Sequence, residues 1–115
     1  MGGYRVQRDE QKLMDDARAA EDAGAFAIVL ECIPSSLAEK LTGALEIPTI
    51  GIGAGAGCDG QVLVTNDLLG LTTGHVPRFV RAQAELKDVI GGAVSRYCEE
   101  VREGTFPGSE ESYRD

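Results

Sequence analysis

Cysteine is scarce in this chain, at three residues, and Cys32, Cys58 and Cys98 never form a C-x-x-C pair. That excludes a disulfide framework or a cysteine-rich zinc site and predicts free thiols in a reducing compartment. Basic residues are also in deficit, 11 Lys and Arg against 19 Asp and Glu, for a net charge of −8. Phosphate backbones are held by clustered cations, so nucleic acid is excluded as a partner. No apolar run approaches the ~20 residues that span a bilayer, so no membrane partner is expected. No basic segment leading into an apolar stretch opens the sequence, and a cytoplasmic location is expected. Internal repeats and low-complexity tracts are missing too.

What is there describes a globular α/β protein. With 115 residues, 43% apolar and 26% charged, the chain has enough material for one modest core. Its most telling stretch is the apolar run Phe26-Ala27-Ile28-Val29-Leu30, which ends in Glu31. A second run, Ile47-Pro48-Thr49-Ile50, opens into a glycine ladder from Gly51 to Gly57. Continuous apolar segments separated by a helical pattern read as parallel strands buried on both faces.

The periodicity predicts a first helix over Asp9 to Ala23, stopped by Gly24. Ser36-x-x-Glu39 has the form of a capping box opening a second helix, and Pro48 is tolerated only at the start of the following strand. Gln61 to Val64 is expected as a third strand, and Asn66 to Gly70 as a helical turn. A closing helix is expected over Arg78 to Glu103, broken near Gly91-Gly92, with Leu86, Val89, Ile90, Val94, Tyr97 and Val101 on its apolar stripe. The domain is expected over residues 1–106, followed by a polar, mobile tail over 107–115.

Few residues in this frame carry chemistry. Gly51, Gly53 and Ala56 fit G-x-G-x-x-[GA], but a dinucleotide site needs a helix straight after the glycines, and Cys58-Asp59-Gly60 leads into another strand-like segment. Tight backbone packing is the expected role, with no cofactor bound there. Glu31, at a strand end, is either an acid/base group or a structural partner, through a salt bridge or a cap near Ser35. His75, in a glycine-flanked loop, is a weaker candidate for a ligand or proton carrier. Asp59 and Asp67 lack a second acid at ligand spacing, so a solvated loop or a helix cap is expected for them rather than a metal.

Several segments together resemble the ketopantoate hydroxymethyltransferase family in order and spacing. They are Gly2-Gly3-Tyr4-Arg5-Val6-Gln7, Val29-Leu30-Glu31-Cys32-Ile33-Pro34, Ile50-Gly51-Ile52-Gly53-Ala54-Gly55, Asp59-Gly60-Gln61-Val62-Leu63-Val64, Gly74-His75-Val76-Pro77-Arg78-Phe79 and Phe106-Pro107-Gly108. The resemblance implies a magnesium-dependent (β/α)8 TIM barrel that moves a hydroxymethyl group from 5,10-methylenetetrahydrofolate to 3-methyl-2-oxobutanoate. The product, 2-dehydropantoate, feeds pantothenate and coenzyme A synthesis. Glu31 then falls at the catalytic acid/base position on the sixth strand, with Leu30 and Ile33 expected to lend it apolar surroundings. It would take the proton beside the keto acid's carbonyl while a divalent metal holds the enolate oxygen.

A barrel needs about 250 residues, and the resemblance starts just before the family's fifth helix. The family's two magnesium-binding aspartates, its lysine and its substrate-contacting histidine have no counterpart, so no metal ligand is expected here. Gln7-Arg8 stands where the family has Gln-Gly-Arg, and Glu111 where it has a histidine. The expected fold is the C-terminal portion of a barrel, about three parallel strands with flanking helices, sticky or unstable alone. Two functions follow: half of a transferase completed by an N-terminal half or by homo-oligomerisation, or a non-catalytic remnant acting as a binding or assembly module.

Overall fold

The computed structural model describes residues 5–115, so the Gly2-Gly3-Tyr4 part of the opening motif lies outside the described residues. Helix α1 spans Glu10–Asp22, strand β1 Ile28–Glu31, helix α2 Ser35–Ala44, strand β2 Thr49–Ile52 and strand β3 Gly60–Gln61. A short helix α3, Thr65–Leu68, and a long helix α4, Leu86–Glu103, complete the order. The three strands form one parallel sheet in the order β1-β2-β3, with Leu30 opposite Gly51 and Glu31 opposite Ile52.

Each early element starts for a local reason. The Asp9 carboxylate accepts from the Lys12 N–H at 3.0 Å and caps α1, satisfying one of its orphan donors. Gly24 then stops the helix at φ +94°, where a side chain would be strained. Phe26 is 89% exposed, so the strand begins later than its apolar run, at Ile28. The expected capping box does not form. Helix α2 starts two residues earlier, behind Pro34, whose carbonyl accepts from Leu37 and Ala38, and Glu39 is drawn against Gly57 instead.

The core lies on one face of the sheet. Leu30, Ile33, Leu37, Ala38, Leu41 and Leu45 pack with Ala17 of α1, and Leu13, Met14 and Ile28 close the rim. Buried apolar contact of this kind is what secures α1 and α2 to the strands. Two polar clamps hold the layer in register. The Glu21 carboxylate accepts from the N–H groups of Glu46 and Ile47 at 2.6 and 3.1 Å, tying the end of α1 to the loop before β2. The Lys40–Glu10 ion pair at 2.9 Å links α2 to α1, but it is exposed and contributes little.

Among the described residues no helix covers the opposite face. Val29, 57% exposed, and Glu31 stand there beside half-buried Ile50 and Ile52. In a closed barrel the residues on this face would fill the interior in layers.

The third strand is shorter than the run Gln61 to Val64 implies. β2 leaves the sheet at Gly53, φ +64°, so only Gly60 and Gln61 find partners, and one further bond joins the Val62 N–H to the Gly51 carbonyl. The closing helix starts at Leu86 rather than Arg78, because residues 83–87 cap α3. The N–H groups of Gln83, Leu86 and Lys87 donate to the carbonyls of Leu68, Leu69 and Gly70 at 2.7, 3.0 and 3.2 Å. The orphan carbonyls at the end of one helix thereby satisfy orphan donors at the start of the next.

Once started, α4 runs unbroken through Gly91-Gly92 to an αL cap at Gly104. Each glycine costs about 1 kcal/mol relative to alanine, too little to break a helix whose other residues include Leu86, Lys87, Ala93, Arg96 and Glu99. None of its 18 residues is buried. The helix projects from the α/β unit, and the radius of gyration is 22.6 Å with extents of 71 × 30 × 22 Å, against about 13 Å for a compact chain of this length. Just past the helix Phe106 meets Tyr97 of α4 edge to face at 5.3 Å. Residues 107–115 fold back locally, the Gly108 N–H donating to Glu111 and the Ser112 hydroxyl to the Gly108 carbonyl.

Candidate active site

Parallel strands deliver their chemistry at their C-terminal ends, and Glu31 is the last residue of β1. Its side chain is exposed on the helix-free face. Leu30 and Ile33 do not surround it as expected, because both turn to the other side and are buried against α2. Neither structural alternative for Glu31 forms: the α2 cap has no side-chain bond, and among the described residues Glu31 has no ion-pair or hydrogen-bond partner. A cavity of about 200 Å³ runs along the outer edge of β1, touching Glu31, Gln7 and Asp16.

The residue after Glu31 is strained. Cys32 has φ +52°, a left-handed conformation that costs an L-residue about 1–2 kcal/mol. Both of its backbone groups are pinned: its N–H donates to the Ile52 carbonyl and its carbonyl accepts from the Gln7 N–H, each at 3.0 Å. The sharp turn ends the strand at Glu31, sends Ile33 into the core and leaves Cys32 buried. Burial, and secondarily the neighbouring Glu31 charge, hold that thiol above the ordinary thiol range. The sequence offered no signal for this strained cysteine.

A larger cavity, about 550 Å³, opens at the same end of the sheet and is lined by Cys32, Gly53, His75, Arg78 and Phe79, with Val6 and Pro77. Of the glycine ladder only Gly53 lines this cavity, and the ladder as a whole packs closely. A Cβ on Gly53 would stand 2.7 Å from the Phe79 ring, one on Gly55 would meet Ser35, and one on Gly57 would meet Glu39. The ladder leads into β3, with no helix N-terminus behind it to receive a phosphate.

The other candidates separate from Glu31. His75 is exposed on the wall of the large cavity. Asp59 is a structural bracket rather than a solvated loop residue: its carboxylate accepts from the Thr49 N–H at 2.8 Å and lies 3.3 Å from the Thr49 hydroxyl, which accepts from the Asp59 N–H. Asp67 is buried inside α3 and accepts from the Thr72 hydroxyl at 2.5 Å, so it is not the α3 cap. Among the described residues no three His, Cys, Asp or Glu side chains gather where a metal ion could be held. These residues therefore do not fit the magnesium that the resemblance implies. No helix among the described residues is long and apolar enough to cross a membrane.

A carboxylate ends one parallel strand, a glycine ladder ends the next, and a His-Val-Pro-Arg-Phe loop meets that ladder at Gly53; the sequence profile described as Ketopantoate hydroxymethyltransferase matches residues 1–109. The chain belongs to the ketopantoate hydroxymethyltransferase family. It is 54% identical to a 3-methyl-2-oxobutanoate hydroxymethyltransferase of Syntrophus aciditrophicus (strain SB), with 97% of this chain and 43% of that protein covered. Against the proteins of the same name from Prosthecochloris aestuarii and Pelobacter propionicus the identities are 60% and 61%, over 97% and 98% of this chain and 42% and 43% of theirs. The chain thus spans less than half the length of these hydroxymethyltransferases.

Proposed function

We propose that this chain is the C-terminal portion of a (β/α)8 hydroxymethyltransferase, acting in the cytoplasm on 3-methyl-2-oxobutanoate with 5,10-methylenetetrahydrofolate as one-carbon donor and yielding 2-dehydropantoate. The observation that carries this reading is Glu31, an exposed carboxylate with no structural partner among the described residues, at the C-terminal end of a parallel strand and on the face a barrel would enclose. A carboxylate placed there can take the proton from the carbon beside the keto acid's carbonyl, leaving an enolate carbon to attack the one-carbon unit. Because the described residues build no metal site, any metal ligands and the cradle for the keto acid would come from a complementary N-terminal half, and the assembled form would be an oligomer.

A second reading, a non-catalytic assembly module, draws on α4, whose Val89, Ile90, Val94, Tyr97 and Val101 are all exposed. One experiment separates the two. The chain is co-expressed with the N-terminal half of a 60%-identical relative, and formation of 2-dehydropantoate is measured. Turnover that falls at least about 100-fold on Glu31→Gln, the scale of a lost acid/base group, supports the transferase. A complex that assembles without turnover supports the module, and full activity in Glu31→Gln removes Glu31 from the chemistry.

A further inference from the structure

Among the described residues Glu31 has no side-chain partner, so its carboxylate is aimed by the backbone on either side of it. On the N-terminal side that backbone is anchored by Leu30, buried in the core. On the C-terminal side stands Cys32, in the left-handed region at φ +52°. This turn breaks the alternation of the strand. In extended backbone, side chains two residues apart share a face, so a regular continuation would set Ile33 beside Glu31 and crowd the carboxylate with an apolar group. The left-handed residue sends Ile33 into the core instead and leaves Glu31 the one exposed residue between Leu30 and Ile33.

Glycine takes this conformation without strain and leaves it as easily. A residue with a Cβ is confined to a small left-handed well, φ about +50 to +70°, and here two distant segments hold it there. The Cys32 N–H donates to the Ile52 carbonyl of β2, and the Cys32 carbonyl accepts from the Gln7 N–H ahead of α1, each at 3.0 Å. The Cys32 side chain is buried in the cavity wall that Gly53 and Phe79 share. Strain of this kind persists only where the surroundings over-determine it. We propose that Cys32 is the positioning residue of Glu31, clipped between the Ile52 carbonyl and the Gln7 amide so that the carboxylate keeps one direction at the strand end. The proposal rests on the transferase reading for the use made of that carboxylate; whether the clip holds Glu31 is tested without turnover.

The first measurement is backbone ¹⁵N relaxation on the 115-residue chain. Glu31 and Cys32 are expected to have the order parameters of rigid backbone, about 0.85, and Cys32→Gly to bring both residues toward the flexible value of about 0.6 while the amides of α1 and α2 stay as they were. The second uses the chain complemented with an N-terminal half. Misplacing a reacting group by about 1 Å costs up to about 100-fold, so Cys32→Gly is expected to lower kcat about ten- to a hundredfold with KM held within about twofold. Cys32→Ala, which keeps the Cβ and its confinement, is expected to recover most of that loss. Gln7→Pro, which removes the donor and leaves Cys32 in place, is expected to lower kcat in the same sense. Order at Glu31 unchanged by Cys32→Gly overturns the proposal whatever the turnover. So does a wild-type kcat for Cys32→Gly in an enzyme that Glu31→Gln inactivates, or a loss that Cys32→Ala fails to recover, which would mark Cys32 as a packing residue only. A complemented chain that never turns over counts against the transferase reading and leaves the relaxation result to decide the clip, so the two readings fail separately.

Discussion

Removing the Thr49 hydroxyl is expected to loosen the sheet at its centre, and the size of the effect follows from its bonds. Thr49 is fully buried at the start of β2. Its Oγ1 accepts from the Asp59 N–H at 3.2 Å and lies 3.3 Å from Asp59 Oδ2, and it shares a 2.8 Å bond with the Thr42 hydroxyl. Thr49→Val keeps the shape and deletes these bonds, while Thr42 keeps its own bond to the Ala38 carbonyl. At about 1 kcal/mol for each of two net hydrogen bonds, the loss is about 2 kcal/mol.

Asp59→Ala acts on the other half of the bracket. It removes the 2.8 Å acceptor of the Thr49 N–H, and a buried backbone donor left unpaired costs about 1–3 kcal/mol. Because the two residues share bonds, their effects are coupled, and the double variant is expected to lose about 1 kcal/mol less than the singles combined. Urea unfolding gives the free energies. Hydrogen exchange at the Cys32 and Val62 amides, which bond to β2, shows whether the loss is felt at the sheet. An unchanged urea midpoint for Thr49→Val, or strictly additive variants, would refute the bracket.

Two further substitutions probe the site itself. Gly53→Ala places a methyl group 2.7 Å from the Phe79 ring at φ +64°, so beyond about 1 kcal/mol of backbone strain the ring must move; a melting temperature unchanged from wild type would show that Phe79 is not locked there. For Cys32 the raised thiol pKa means that the folded chain holds the proton more tightly than the unfolded one. Its contribution is therefore complete below the unfolded thiol's pKa of about 8.5, and it is lost as pH rises from there through the folded value. Urea midpoints at neutral and alkaline pH should fall more steeply for wild type than for Cys32→Ala, and parallel profiles would contradict the assignment.

Much of the fold was legible because its signals are local. The 3.6-residue period and the Gly24 stop located α1 to within a residue at each end, and the β-branched run before Glu31 gave β1 its C-terminal limit. Two misplaced boundaries share a cause, since each was set by hydrogen bonds to another segment. Gln61 to Val64 has strand propensity along its length, yet β2 turns away at Gly53 and leaves only Gly60 and Gln61 paired. Arg78 to Glu85 could be helical, but the open carbonyls at the end of α3 take the N–H groups that start α4 at Leu86.

The candidate site divides the same way. Glu31 could be picked out of the sequence because an ionisable residue ending an apolar strand is conspicuous, and the ordered motifs around it were enough to reach the family. Asp59 and Asp67 could not be understood there, because what they do depends on Thr49 and Thr72 coming within hydrogen-bonding reach. The strain at Cys32 is likewise fixed by Ile52 and Gln7 from either side.

Composition, periodicity and motif order by themselves determined the α/β class, the first helix and the end of the first strand, and made Glu31 conspicuous as an ionisable residue at that strand end, since each is written in neighbouring residues. Only the tertiary structure decided which face of the sheet is left open, that His75, Arg78 and Phe79 meet Cys32 around one cavity, and that α4 stands free with no buried residue. Those outcomes depend on how distant segments compete for the same hydrogen bonds and the same apolar surface, and that competition is settled only when the chain is folded.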